Sequence, residues 1–217
     1  MGKITIGDVK VAALKLMFTN YSDKITSLDG DMCDNIANLE YDAEYGKYLV
    51  NMDESINRAL LRLSAVGALP LKTHTFEMYK GKKAERINLS EKITDFYRLI
   101  KVIKETSDSY ESDYRYDLET DTVIRIPAQE EDCEITLVYE PQESIITDET
   151  SNKDTFSNVP DELAVLIPYF VKSELFEEEQ PEFAAQARNL FESSIADRIN
   201  SAYQNQKVVA DVYGGCE

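Results

Sequence analysis

The sequence predicts an α+β protein: a helical bundle formed by N- and C-terminal helices, with an inserted antiparallel β module of about five or six strands. Three observations carry this. Apolar residues recur at three- and four-residue steps over 45–63 and again over 163–199, the period of helices with one buried face. Between about 71 and 146 that period gives way to short runs rich in Thr, Tyr, Ile, Val and Phe, separated by polar turns. Helices at the two ends of the chain bury their stripes only by meeting, which makes the β segment an insertion.

Each element follows from local chemistry. Thr5 and Asp8 form a capping-box pattern ahead of Val9, Ala12, Ala13, Leu16 and Met17, predicting a helix over roughly 6–20. The polar stretch TNYSDKITSLDGDMCDN, with Gly30 among aspartates, reads as a loop within an acidic segment at 20–42. Tyr45, Tyr48, Leu49, Met52, Ile56, Ala59, Leu60 and Leu63 then make one stripe, with Asp42 placed to cap its start. Gly67 and Pro70 end that helix, glycine by accepting the left-handed conformation and proline by refusing to continue.

The runs KTHTFEMY, RINL, DFYRLIKVIK, DYRYDL, TVIRIP and EITLVYE are strand-like, DLETDT suits a hairpin turn, and Pro127 and Pro141 fit at strand ends. A polar connector from Glu143 to Asn158 leads to a helix carrying Leu163, Leu166, Ile167, Phe170, Val171 and Leu175. Pro160 suits its first turn, whereas Pro168 should kink it. After the link EEEQP, Phe183, Ala187, Leu190, Phe191, Ile195 and Ile199 predict a second helix folded back on the first. The ending AYQNQKVVADVYGGCE loses the period and reads as a mobile arm. The organisation is therefore 1–70 helical, 71–146 β, 147–205 a helical hairpin and 206–217 an arm.

Composition bounds the function. With 217 residues, 43% of them hydrophobic, the chain can bury a real core. Forty-one acidic against 23 basic residues leave a net charge of −18, which argues against a surface that neutralises phosphates. Cys33, Cys133 and Cys216 lie far apart and form no Cys-x-x-Cys pair, so the reading is reduced thiols in a protein made in the cytoplasm. The N-terminal apolar stretch is too short for a membrane span, and Ile6 stands where a myristoylation signal needs Ser or Thr.

His74, the single histidine, falls in a strand and reads as a surface or cross-strand residue rather than a triad member. Asp29, Asp31 and Asp34 lack the glycine position and the closing glutamate of a calcium loop. Glu177, Glu178 and Glu179 are consecutive, so on a helix they would fan apart rather than converge on an ion. They suit a solvated turn before a helix N-terminus. The GKK at 81–83 lacks the spacing of a phosphate-binding loop. The reading is of no enzyme, with no catalytic, metal or cofactor residues.

Three segments carry a family resemblance: YLVNMDESINRALLRLSAVG at 48–67, the β insertion ending in EITLVYEPQ at 134–142, and NVPDELAVLIPYFVKSELFEEEQPEFAAQARNLFESSI at 158–195. In this order they resemble the head-to-tail adaptor, or head-completion, proteins of tailed bacteriophages. Val171 and Lys172 depart from it, standing where the family pattern has small residues, and so do the long acidic loop at 20–42 and the extended tail. The resemblance implies a virion protein of the neck region that forms a ring, usually of twelve copies, under the portal protein. Such a ring seats the stopper or tail and lets genomic DNA pass without specific binding.

By the same analogy the C-terminal segment contacts the portal through Gln204, Gln206, Val208, Val209, Val212 and Tyr213. Tyr110, Tyr114 and Tyr116 either supply the contact between copies or fill the edge of the β core. Acidity repeated around a ring would give a passage that repels DNA and lets it slide. The alternatives are a binding module for host-surface material carried on a helical stem, and an acidic mimic of DNA.

Overall fold

The computed structural model describes residues 3–18 and 45–213, with side chains to 201. The chain divides into two compact units: residues 1–68 with 144–217, and residues 69–143. The protein is mixed α and β, with two antiparallel sheets. The acidic segment 20–42, the aspartates at 29, 31 and 34, Asp42, Cys33 and Cys216 lie outside the described residues.

The first unit is helical. Helix α1 spans Ile6–Phe18 and opens with the anticipated capping box. The Thr5 amide and hydroxyl both donate to Asp8 Oδ2, at 2.9 and 2.8 Å, and the Asp8 amide donates back to Thr5 Oγ1 at 3.1 Å. The next free amides find carbonyls in the returning connector: Ile6 N–H donates to Asp154 O and Gly7 N–H to Asn152 O.

Helix α2 spans Gly46–Ala65, and Tyr45 holds its N-cap position without a side-chain cap. It ends in a Schellman motif, in which the Ala68 amide bonds Leu63 O, the Gly67 amide bonds Ser64 O, and Gly67 sits at φ 68°. The connector is clipped to α2 by Asn57, whose amide nitrogen donates to Ile146 O at 2.9 Å while its oxygen accepts the Ile146 amide at 2.7 Å.

The stripe at 163–175 is two helices rather than one kinked helix: α4 at Asp161–Ala164 and α5 at Ile167–Leu175, separated by a turn at 165–166. Pro168 falls in the first turn of α5, where its missing N–H removes no helical hydrogen bond, so the chain restarts instead of bending. Helix α5 packs against α1, α2 and the long α6 (Pro181–Tyr213). Its core includes a T-shaped aromatic cluster, with Phe18 5.1 Å from Tyr45, 5.1 Å from Tyr48 and 5.8 Å from Phe176. Phe170 meets Phe191 at 5.0 Å.

On α6 the buried face is Ala184, Ala187, Phe191 and Ile195, whereas Phe183 and Leu190 are exposed despite fitting the apolar period. The backbone stays helical through Tyr213, past residue 205, where the fading period predicted an arm. Helix continuation needs backbone hydrogen bonds, not an apolar stripe.

The second unit holds seven described strands in two sheets, not one module of five or six. The strands are β1 (Lys72–Met78), β2 (Glu85–Asn88), β3 (Phe96–Glu105), β4 (Tyr110–Glu111), β5 (Asp117–Thr120), β6 (Val123–Ile126) and β7 (Cys133–Pro141), with a one-turn helix α3 at Leu89–Lys92. One sheet has the order β1-β7-β3-β4 and the other β2-β6-β5. The DLETDT segment forms the β5–β6 hairpin, and Pro141 closes β7.

Of the predicted run DYRYDL only Asp117 and Leu118 are strand, because residues 114–116 form an irregular link between β4 and β5. Both sheets share one core, including Met78, Ile87, Val102, Ile124, Ile135 and Leu137. Asp95 braces it by accepting Lys72 Nζ at 2.7 Å and the Tyr139 hydroxyl at 2.9 Å.

Candidate functional site

The three tyrosines singled out by sequence part company. Tyr110 lies on β4, a two-residue edge strand opposite Glu105, and is 64% exposed. Tyr114 is half-buried against the β core. Its amide donates to Val102 O at 2.8 Å, its hydroxyl accepts Gln129 Nε2 at 2.9 Å, and the Lys104 ammonium lies 5.5 Å from its ring. Tyr116 also packs against that core. Tyr114 and Tyr116 therefore edge the β core, and Tyr110 alone of the three stands clear.

Close to it in sequence is a residue the sequence reading passed over. Leu118 on β5 is in register with Ile124 on β6, which is in register with Ile87 on β2. Residues directly opposite in an antiparallel ladder share a face, so Leu118 belongs to the inward row. Ile124 and Ile87 are buried, yet Leu118 is 58% exposed. The row runs out of cover at this edge.

At the other edge of the same unit, where β1 and β2 are the outer strands of their sheets, a cavity of about 160 Å³ opens. Phe76, Ile87 and Leu137 give it an apolar floor, and His74, Glu77, Lys82, Glu85 and Lys92 surround it. Lys82 pairs with Glu85 at 2.5 Å. The GKK stretch dismissed as a phosphate loop is part of a basic run, with Lys80, Lys82, Lys83, Arg86 and Lys92 inside thirteen residues of an acidic chain. That clustering was the available signal.

A larger hollow of about 440 Å³ is lined by Glu77, Tyr79, Glu105, Asp132, Cys133 and Glu134. Glu77, Glu134 and Glu105 stand in one register row across β1, β7 and β3. Tyr79 donates to Glu77, and Asp132 Oδ1 accepts the Lys80 amide at 2.7 Å. Burial pushes the Cys133 thiol up, which keeps it a poor nucleophile. Among the described residues no group of three or more His, Cys, Asp or Glu side chains is placed to hold a metal ion.

The three glutamates of the α5–α6 link divide their roles. Glu177 and Glu178 are exposed, whereas Glu179 accepts Lys47 Nζ at 2.7 Å and the Tyr48 hydroxyl at 2.6 Å, tying the link to α2. These bonds hold its carboxyl below the usual glutamate range, and burial with the same contact raises the Tyr48 phenol. Lys172 donates to Leu16 O at 2.8 Å near the C-terminus of α1, with its ammonium within 6 Å of the rings of Phe176 and Phe183. Burial lowers its ammonium pKa. Gln204, Gln206, Val208, Val209, Val212 and Tyr213 lie on the last turns of α6, with their side chains outside the described residues.

No known family model and no curated protein matches the chain in sequence. Among the described residues no helix is long and apolar enough to cross a membrane.

Proposed function

We propose that the protein is a structural subunit of a phage neck, a head-to-tail adaptor that forms a ring under the portal vertex and lets the genome pass. The observation that supports this most is the chain's order. Residues from both ends build one helical unit, the β unit occupies the stretch between, and this is the arrangement implied by the three segments that resemble the adaptor family. In this reading the helices are a bundle around α5, the portal contact lies on α6 beyond residue 203, and the partners are the portal protein, further copies, and the stopper or tail.

Charge supports the same reading. A ring of subunits at −18 each presents DNA with repulsion rather than binding, because affinity for the backbone depends on Lys and Arg displacing counterions. Nothing in this role needs catalysis.

The test is to mix the full chain with a purified portal protein and with host-cell envelope material, then follow co-sedimentation. Stoichiometric association with the portal, lost on deleting residues 204–217, is the expected result. Association with envelope material alone would instead make the β unit a host-binding module.

A further inference from the structure

The two open edges of the β unit differ in shape and charge, and they complement each other. At the β5 edge an apolar side chain, Leu118, is 58% exposed at the end of an otherwise buried row, and Tyr110 on β4, the edge strand of the other sheet, is 64% exposed. Residues 108–121 around it carry Asp108, Glu111, Asp113, Asp117, Glu119 and Asp121 against a single cation, Arg115. At the β1/β2 edge the feature is a hole, not a knob: an apolar floor of Phe76, Ile87 and Leu137, with His74, Lys82 and Lys92 at its sides beside Glu77 and Glu85, the last of which pairs with Lys82. Residues 80–92 there carry five cations against Glu85 and Glu91; Lys82 already pairs with Glu85 and Arg86 with Glu119, so Lys80, Lys83 and Lys92 are the cations left for a neighbour.

We propose that these edges are the two halves of one contact between copies of this chain: Leu118 of one copy enters the Phe76–Ile87–Leu137 cavity of the next, and the acidic edge faces the basic one. A cavity of this size accepts an apolar group about as large as benzene, which suits a leucine side chain. The apolar insertion supplies affinity, and the opposed charges set orientation and disfavour like-edge pairing.

Because the knob and the hole are different patches on one molecule, the contact is head-to-tail. It cannot satisfy itself in a two-fold dimer. It propagates, and closes into a ring when the rotation per copy divides a full turn. The inference rests on the ring reading above and adds to it the identity and polarity of the subunit contact. It also gives Lys80, Lys83 and Lys92, the part of the basic run not engaged by Glu85 or Glu119, a partner of the right charge.

The experiment places a photo-crosslinking phenylalanine analogue at position 118 of the full chain, both free at high concentration and bound to portal-bearing heads. Interchain ladders whose crosslinks map to residues 74–92 or to Leu137 are expected. Lys92→Glu, an exposed rim change, should cut their yield about tenfold, and Asp117→Lys in the neighbouring copy should restore it. Ladders that map elsewhere would overturn this contact while leaving the ring intact. No interchain product on heads that display no ring would overturn the contact and the ring reading together. An unchanged yield for Lys92→Glu would remove the charge pairing on which the proposal depends.

Discussion

The two units dispose of charge differently. In the helical unit, beside pairs within one helix such as Arg58 with Glu54, a network joins three separate helices. Arg58 reaches from α2 to Glu174 on α5 at 2.9 Å, Arg188 on α6 reaches the same Glu174 at 2.9 Å, and Arg62 on α2 holds Glu192 on α6 at 2.9 Å. Arg188 also lies 4.0 Å from the Phe170 ring, so the network sits directly on the apolar core. In the β unit one pair is local, Lys82 with Glu85 three residues away, and others join strands of a single sheet, Arg98 with Glu140 on the paired strand and Arg86 with Glu119 across one strand. The carboxylate row Glu77–Glu134–Glu105 and the inward row ending at Leu118 are left without cover.

Exposed pairs contribute little singly, so the lesson is not that one unit is more stable. The helical unit turns its polar chemistry on itself and behaves as a scaffold. The β unit pairs part of its edge charge, yet leaves a carboxylate row and Leu118 exposed, which is what a surface open to a neighbour looks like.

The comparison is broken most severely through the cores. Phe191→Ala removes a fully buried ring and should destabilise the protein by about 3–5 kcal/mol. Hydrogen-exchange mass spectrometry should find the lost protection in the helices and not in β1–β7. Ile124→Ala, the buried centre of the Ile87–Ile124–Leu118 row, should cost about 2–5 kcal/mol, with the loss confined to the strands. A loss shared equally by both units in either variant would show that they are not separate cooperative bodies.

Smaller effects sharpen the contrast. Gly67→Ala forces a Cβ into a left-handed conformation at the α2 terminus and should cost about 1–2 kcal/mol in chemical denaturation. The least conspicuous effect is pH dependence, and it differs between units. Burial, aided by the Asp95 contact, pushes the Tyr139 phenol up to about 12. A raised folded pKa means that its contribution is complete below the ordinary value of about 10 and is lost as pH climbs toward 12.

Asp95 works in the other direction. Burial opposes its charge, but bonds from Lys72 and Tyr139 outweigh that and hold its carboxyl low. Its contribution is therefore present above the ordinary aspartate value and lost as pH falls through the lower folded one. The β unit should loosen in alkali as Tyr139 ionises, read by tyrosine absorbance against circular dichroism. In acid, protonation of Glu179 should weaken the α5–α6 link as well, since its carboxyl too is held low.

Much of this was legible in the residues because it is local. The Thr5–Asp8 box, the Gly67 terminus, the tyrosine-led stripe of α2 and most of the strand runs depend on neighbours a few positions away, and the chain states those directly. What was not legible depends on distant partners. β7 pairs with both β1 and β3, and β6 with both β2 and β5, so the division into two sheets is decided by pairings that no single run contains.

Phe183 and Leu190 keep the helical period yet stay exposed, because α6 buries the face led by Ala184 and Ala187 instead. Pro168 marked a disturbance correctly, but whether a proline kinks one helix or starts another depends on the turn at 165–166. At the candidate surface, Tyr110 was chosen for its type and Leu118 was missed for the same reason. An aromatic draws the eye, whereas a leucine looks like core until the structure shows nothing above it.

The central claim, an adaptor ring at one vertex, is tested most directly by electron cryomicroscopy of DNA-filled heads assembled with the full chain. The account predicts added density at the portal vertex alone, built from repeated copies around the axis, with the end of α6 directed at the portal. Heads with a bare portal vertex, or the protein spread over the capsid or released to the solvent, would contradict it.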